Sequence, residues 1–549
     1  MKKITAVLLA ILILVCSLGV TAFAQTELKP IEEVLREAIV NFEDSVDVSA
    51  YGYYVQEEEY RDLYYTAYYD VYQTYADTFH YDASTFSGDN FVYDPYTGLI
   101  KEYKLNYIYT PEEVALVEDL AEEYIFSRVD DSWSDMEKAL FFHDYLITYF
   151  QYDIRLFFEE TQNDVARDIY RMFTEGMGVC QAYANTYEYL LQHEGIECEL
   201  VASDEANHEW NIVKLDGEWY HVDVTQDDPL MAIDEQNIAL LDMAGSVSHK
   251  YFLLSDNAIY DYNLGGDHYN WYCTNDKNKG VIPCNSTKYE NGWLFNESAV
   301  AFCYYEDNWY YLRHNAEQVK VEFVKTANLK TGTVIKNISA IWALDENGSY
   351  YNYIFTGLSE VNGYLIYNTD KAVFAYNLRN NTESKLFSLQ DLAERDDLVT
   401  VGDPYLSLTD CYIYGTRADK DGIYCQISYD FADYFYYIAV VPMCDYQHQD
   451  AEWSTTKEPT GWADGLEEKI CLMCLKVIDS RVLPATGDGF QKGDINCDGE
   501  VNVVDLAVLK KVVAGISAFE DFDLDADGST DVVDLALLKK FVAGLITEF

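Results

Sequence analysis

The chain has 549 residues, too many for one compact core, and carries 95 acidic against 37 basic side chains for a formal charge of -58. Such a surface repels nucleic acid and anionic membranes, which excludes both as partners, and attracts divalent cations, which makes calcium the expected ion.

The opening MKKITAVLLAILILVCSLGVTAFAQ joins a basic start, an apolar stretch and small residues at Ala22 and Ala24, the pattern of a cleaved export signal over residues 1–24. No later apolar run is long enough for a spanning helix, so the expected product is secreted and extracellular with no membrane anchor. Of twelve cysteines, losing Cys16 leaves eleven, an odd number, so at least one is a free thiol, a metal ligand or an intermolecular bridge.

Residues 25–250 read as a helical region leading into a first domain. IEEVLREAIVNF, EEEYRDLYYTAYYDVYQTYADTF, PEEVALVEDLAEEYIF and DMEKALFFHDYLITYF carry apolar residues at helical spacing. VYDPYTGLIKEYKLNYIY alternates like a hairpin around a Thr-Gly turn. A further helix is expected from Gln181 to Gln192, stopped by Gly195. CELVAS follows, then HEWNIVKLDGEWYHVDV, which folds back on itself at Asp216-Gly217.

Residues 251–440 change to short, Tyr-rich alternating strands, an all-β unit of incomplete-propeller or sandwich type. The tyrosines either form a sugar-stacking face or fill half-buried strands. Residues 441–486 form a small Cys/His segment and linker. There Cys444, His448, Cys471 and Cys474 are spaced for a tetrahedral Zn2+ site, or for a disulfide with two bystanders.

The tail, residues 490–549, is an internal duplication: DINCDGEVNVVDLAVLKKVVAG and DLDADGSTDVVDLALLKKFVAG. Each half sets Asp or Asn oxygens at loop positions one, three and five, glycine at six and an acid at twelve, then opens a helix. This hard-oxygen pattern suits Ca2+. Asp494, Asn496, Asp498, the Glu500 carbonyl and Asp505 are the ligands expected for one ion, and Asp523, Asp525, Asp527, the Ser529 carbonyl and Asp534 those for a second, with Asn502 and Asp531 acting through water. The duplication resembles a type I dockerin, the module that docks a cohesin on a scaffolding protein of cellulosome-like assemblies. The resemblance implies a cohesin partner and recognition by Val503, Val504, Val532 and Val533, with either half able to face it.

Cys180 stands before a helix, where unpaired N–H groups and the positive helix end favour a thiolate nucleophile. Such a nucleophile needs a base and a group to orient the base. His208 and Asp223 lie on opposite arms of the Asp216-Gly217 hairpin, so antiparallel pairing brings them together as a Cys180-His208-Asp223 constellation. His221 shares Asp223's face and is the rival base, while His143 and His193 read as ordinary helix-face residues. GMGVCQAYA and HEWNIVKLDGEWYHVDVTQDDP together resemble the nucleophile and His/Asp motifs of the transglutaminase-like superfamily, over residues 135 to 230. Gln226 stands where many relatives have tryptophan. The resemblance implies a papain-type fold and thiol acyl transfer, with Gln181 and Trp210 as lesser candidates for shaping the pocket.

The expected fold class is therefore multidomain: an α+β transglutaminase-like (papain-type) catalytic domain, an all-β Tyr-rich domain, the Cys/His segment and an α-helical dockerin with paired EF-hand-like loops. The expected function is peptide or isopeptide hydrolysis, or amide crosslinking, on a protein or peptide substrate. The alternative is an inactive component of the same assembly that binds cell-wall or plant polysaccharide. No pair of catalytic carboxylates for glycan hydrolysis is identifiable in the sequence.

Overall fold

The computed structural model describes residues 28–56, 59–84, 88–157, 163–232, 240–242, 245–260, 268–315, 320–338, 356–395, 399–401, 407–428, 436–445, 448, 450–459, 464–485, 492–496, 500–515 and 522–549. The expected export signal and Asp498 lie outside the described residues.

A small N-terminal layer packs the helix Ile31–Val40 and the Tyr-rich segment onto a three-stranded sheet of Ser45–Asp47, Ile100–Lys104 and Phe91–Tyr93, around Leu35, Ile39, Leu63, Val71 and Tyr103. The Tyr-rich segment departs from the single regular helix its periodicity predicts. Glu59–Tyr65 is α-helical, but Thr66–Tyr72 widens to a π-helix. Tyr64, Tyr68 and Tyr72 form a ladder of rings about 6 Å apart along it (6.1 and 6.0 Å).

Two helices with full capping boxes follow, Pro111–Tyr124 behind Thr110 and Asp135–Tyr149 behind Ser134. The second buries every residue from Ala139 to Thr148, its polar side chains among them. That burial takes His143 and Asp144 out of water with it.

The helix Cys180–His193 packs beside it and ends at Gly195, whose φ of 74° supplies the left-handed stop. Its inner face rests on a five-stranded antiparallel sheet, ordered Phe252–Leu254, Glu218–Val222, His208–Leu215, Cys198–Ser203, Tyr272–Cys273. Asp216 and Gly217 both take positive φ (53° and 85°), forming the tight two-residue turn that pairs Leu215 with Glu218. Alternation then splits the hairpin. Val213, Leu215, Tyr220 and Val222 join the helical core, and Trp210 and Ile212 join a smaller cluster with Val201, Cys273 and Cys284.

Three four-stranded antiparallel sheets follow over residues 303–338, 358–388 and 399–442. A three-stranded sheet comes next, formed by Ala451–Lys457, Gly465–Cys471 and Val477–Leu483. The first of the four-stranded sheets shares the helical core, since Trp309, Tyr311 and Val324 cluster with Phe142, Tyr183 and Tyr187. A hydrogen bond reinforces the join, from Trp309 Nε1 to Glu137 (3.0 Å), and Tyr149 Oη ties the same helix to the third sheet by donating to the Ala418 carbonyl (2.8 Å). Among the described strand tyrosines, Tyr310, Tyr311, Tyr364, Tyr367 and Tyr376 are buried, and their rings fill cores.

At the tail, helices Val503–Val513 and Val532–Val542 pack around Ile495, Leu509, Phe522, Leu524 and Leu538. Ile495 and Leu524, like Leu509 and Leu538, occupy matching places in the two repeats.

Candidate functional site

The approach to Cys180 is built by two glycines. Gly176, at φ 70°, ends the helix Ile169–Glu175, and Met177–Gly178 then pairs in parallel with Gln151–Tyr152. Gly178 has no room for a side chain: a Cβ there would lie 2.6 Å from the Ala182 Cβ and 2.9 Å from the Met172 sulfur. The absent side chain lets the segment press against the helix it is about to enter, and Cys180 becomes that helix's first residue, partly exposed.

Asn211 donates to the Ala184 carbonyl across 3.0 Å, which fixes how the helix lies on the hairpin. One turn before Ala184, Cys180 reaches the start of the His208–Leu215 strand, where the His208 ring sits beside its thiol. Continuing the register from the Asn211–Val222 pair sets Trp210 across from Asp223, with His208 on the diagonal. His208 Nε2 and Asp223 Oδ2 are 2.6 Å apart, so the ring donates its Nε2 proton to the carboxylate and leaves Nδ1 for the sulfur side. Burial works against a charged His208, but Asp223's charge and hydrogen bond, together with Cys180, hold its pKa well above the ordinary value. Burial likewise opposes ionisation of Asp223, and His208, assisted by His268, outweighs it, so the carboxyl stays well below the usual range.

Asp223 has a further partner that the motif does not contain. His268 Nε2 lies 2.6 Å from the same Oδ2, while Oδ1 accepts the Gln226 backbone N–H (3.0 Å) as the cap of the short helix Val224–Asp227. His268 is buried against Trp210 and Tyr251, and its Nδ1 has no partner among the described residues. It lies 45 residues beyond Asp223 next to an edge strand, and neither alternation nor spacing in GGDHYNW distinguishes it.

His221, the rival base, does share Asp223's face but turns away from the thiol. Its Nδ1 accepts from Trp210 Nε1 (3.0 Å) and its Nε2 meets Asp256 (3.0 Å). Trp210 is buried and stacks on His208 at 5.6 Å, so it backs the imidazole instead of lining an open pocket.

His143 is not the ordinary helix-face residue its spacing predicts. It is fully buried, with Nδ1 2.9 Å from Asp144 and Nε2 3.2 Å from Asp227. Both partners are carboxylates, so both ring nitrogens donate and the ring is an imidazolium. The Asp144 and Asp227 interactions outweigh burial and lift its pKa to about 9. His249 donates to the same Asp144 oxygen (2.9 Å). His193 does lie on an outer face, stacked on Phe126 at 3.8 Å.

Residues 122–224, which contain Cys180, His208 and Asp223, match the family model of the transglutaminase-like superfamily, and residues 492–543 match that of the type I dockerin domain. The chain thus carries a transglutaminase-like domain and a type I dockerin. Among solved structures, one described as "Crystal structure of a TGase" is 20% identical, covering 22% of this chain and 34% of its own, at a TM-score of 0.20. The chain spans about a third of that protein, and the likeness is too slight to bear on the fold. No curated protein matches the chain.

In the second repeat the carboxylates of Asp523, Asp525 and Asp534 gather within 4.8 Å of one another, an all-oxygen donor set that fits a hard cation. Gly528 (φ 91°) makes the loop's sharp turn, and its N–H binds Asp523 (2.7 Å). In the first repeat Asp505 Oδ1 accepts the Ile495 and Asn496 N–H groups (2.7 and 3.0 Å), as Asp534 accepts that of Leu524 (2.6 Å). Asn502 and Asp531 cap the two helices. Val503, Val504, Val532 and Val533 are all exposed. Among the described residues no helix is long and apolar enough to cross a membrane.

Proposed function

We propose that this protein is a thiol acyl-transfer enzyme, hydrolysing peptide or isopeptide bonds, that is exported and held on a cellulosome-like scaffold by its dockerin. The observation that carries the enzymatic reading is the row of Asp223, His208 and Cys180 at the open end of the sheet, with the carboxylate 2.6 Å from the imidazole and the thiol partly exposed.

In this reading His208 takes the thiol proton at Nδ1, and the Cys180 sulfur attacks an amide carbonyl. The Cys180 backbone N–H, at the helix start with no intrahelical partner, stabilises the oxyanion, with Gln181 beside it. The His208 imidazolium protonates the departing amine and a thioester remains. Water then adds to the thioester, giving its proton back to His208, and the thiol is released with a carboxylic acid; a second amine in place of water gives a crosslink. Asp223 keeps the ring in the tautomer these steps need, and His268 holds Asp223. Hydrolysis is the favoured outcome because water is abundant outside cells.

Each dockerin loop holds one Ca2+ through the oxygens of Asp494, Asn496, Asp498, Glu500 and Asp505, or of Asp523, Asp525, Asp527, Ser529 and Asp534. The exposed valine pairs meet a cohesin. Calcium neutralises loops that otherwise repel themselves, so docking depends on it.

A peptide amide bearing a thiol-reactive warhead tests the enzymatic claim. The wild-type chain takes the label at Cys180, and Cys180→Ala and His208→Ala do not; an unlabelled wild type overturns the reading. Weighing products from peptide and amine substrates then separates the outcomes. Addition of water means hydrolysis, and loss of ammonia with gain of the amine means transfer.

A further inference from the structure

The side chains of Cys444, His448, Cys471 and Cys474 come together although up to 30 residues separate them, and their donor atoms all lie within 4.8 Å of one another. We propose that they hold a structural Zn2+ ion that staples the three-stranded sheet to the β unit before it.

The distances choose between the two chemistries that the spacing allows. Cys444 Sγ and Cys471 Sγ are 3.7 Å apart, far beyond a disulfide bond of about 2.05 Å. A tetrahedral zinc ion with Zn–S bonds of about 2.3 Å sets neighbouring sulfurs about 3.8 Å apart, and a sulfur and an imidazole nitrogen about 3.6 Å apart. Cys474 Sγ and His448 Nδ1 are 3.5 Å apart. Both measured separations are edges of that tetrahedron.

The local backbone is shaped for a metal. Cys471 ends the strand Gly465–Cys471, and the chain turns at once: Leu475 takes φ 57° and returns its N–H to the Cys471 carbonyl (2.9 Å). The Lys476 N–H is directed at the Cys474 sulfur, the support a thiolate ligand needs. Cys444, with φ 59°, sits just past the strand Tyr436–Pro442 of the preceding sheet.

Outside the dockerin, the other close clusters of metal-type donors among the described residues differ. In His208-Asp223-His268, His143-Asp144-His249 and His221-Asp256-Cys284 the imidazoles are hydrogen-bonded to the carboxylates at 2.6 to 3.0 Å, so those donors satisfy one another. Three thiols and an imidazole can offer one another only weak sulfur hydrogen bonds, at 3.5 and 3.7 Å, where a metal ion would take all four donors. Four protein donors also leave no position for water, which makes the ion structural rather than catalytic.

The knuckle is docked as well as closed. Asn362 Nδ2 donates to the Met473 carbonyl (2.8 Å), and Tyr364 Oη and Asn377 Nδ2 converge on Asp450 (2.8 and 3.1 Å). The ion would fix the last sheet before the dockerin linker to the body of the protein.

The test uses the full chain, purified without reductant or added metal, with zinc measured by elemental mass spectrometry separately from calcium. One zinc per chain is expected, and it should be lost in Cys474→Ser and in His448→Asn but kept in Cys425→Ser, which removes a buried cysteine outside the cluster. Cobalt exchanged into the wild type should show the intense visible bands of a tetrahedral thiolate site, a readout that stands even if a cysteine variant fails to fold. A chain without zinc, a Cys444–Cys471 disulfide found by peptide mapping, or zinc that survives both ligand substitutions would each overturn the proposal.

Discussion

His208 and His268 donate their Nε2 protons to a single atom, Oδ2 of Asp223, each across 2.6 Å. With Oδ1 occupied by the Gln226 N–H, the carboxylate cannot rotate without breaking a buried hydrogen bond. The orientation of the ring beside Cys180 therefore depends on His268 as well as on Asp223.

His268→Ala should lower kcat about tenfold with KM little changed, because it loosens the carboxylate that aims the base and leaves substrate contacts alone. His268→Gln, which restores an N–H donor, should recover most of the loss. Steady-state kinetics on both variants check this; equal loss in the two would reduce His268 to packing.

Asp223→Asn should fold, since asparagine also caps a helix, yet lose activity by about 10⁴-fold. The amide presents an N–H to His208 Nε2, forcing the ring proton onto Nδ1, where it can no longer accept from the thiol. Circular dichroism and turnover measured on the same sample separate the two effects.

His143 makes stability depend on pH. Its folded pKa of about 9 exceeds the unfolded value of about 6.5, so its contribution is complete below pH 6.5 and is lost as pH rises through about 9. The loss amounts to at most about 3 kcal/mol. A melting series from pH 6 to pH 10 should show the wild type falling across that window. His143→Ala should start lower, by about 3–5 kcal/mol, and fall less, because its buried carboxylates are already uncompensated.

Gly178→Ala should cost about 1–3 kcal/mol by forcing a methyl against Ala182 and Met172. Adding Ala182→Gly removes the nearer clash and should return part of the lost melting temperature.

Chelation should abolish cohesin binding by the full chain, and calcium should restore it. If either repeat can face the partner, Val503→Asp with Val504→Asp costs only about twofold in affinity, and so does the matching change at Val532 and Val533. Changing both pairs should eliminate binding, as titration calorimetry would show.

Much of the candidate site was legible in the sequence because its parts are local: a cysteine ahead of a helical run, and a histidine and an aspartate in the register that Asp216-Gly217 imposes. What escaped was held by distance. His268 meets Asp223 from 45 residues away, and His143 meets Asp227 from 84, through contacts that no periodicity encodes. The Tyr-rich helix was legible as helix, but its π-helical segment was not, because apolar spacing does not record which carbonyl an N–H selects. The valines that the dockerin resemblance implies for recognition stand exposed at the starts of the two helices.

The aromatic core that runs from Phe142 across to Trp309 and Tyr311 constrains how this protein can be divided. Truncation just after residue 250 would delete the strand Phe252–Leu254, strip Asp223 of His268, and take from Trp133 the rings of Tyr304 and Trp309 that cover it. Expressed alone, such a fragment is expected to aggregate and to be inactive for reasons unrelated to its chemistry. A shorter cut from the same end, removing only the dockerin, leaves that shared interior whole.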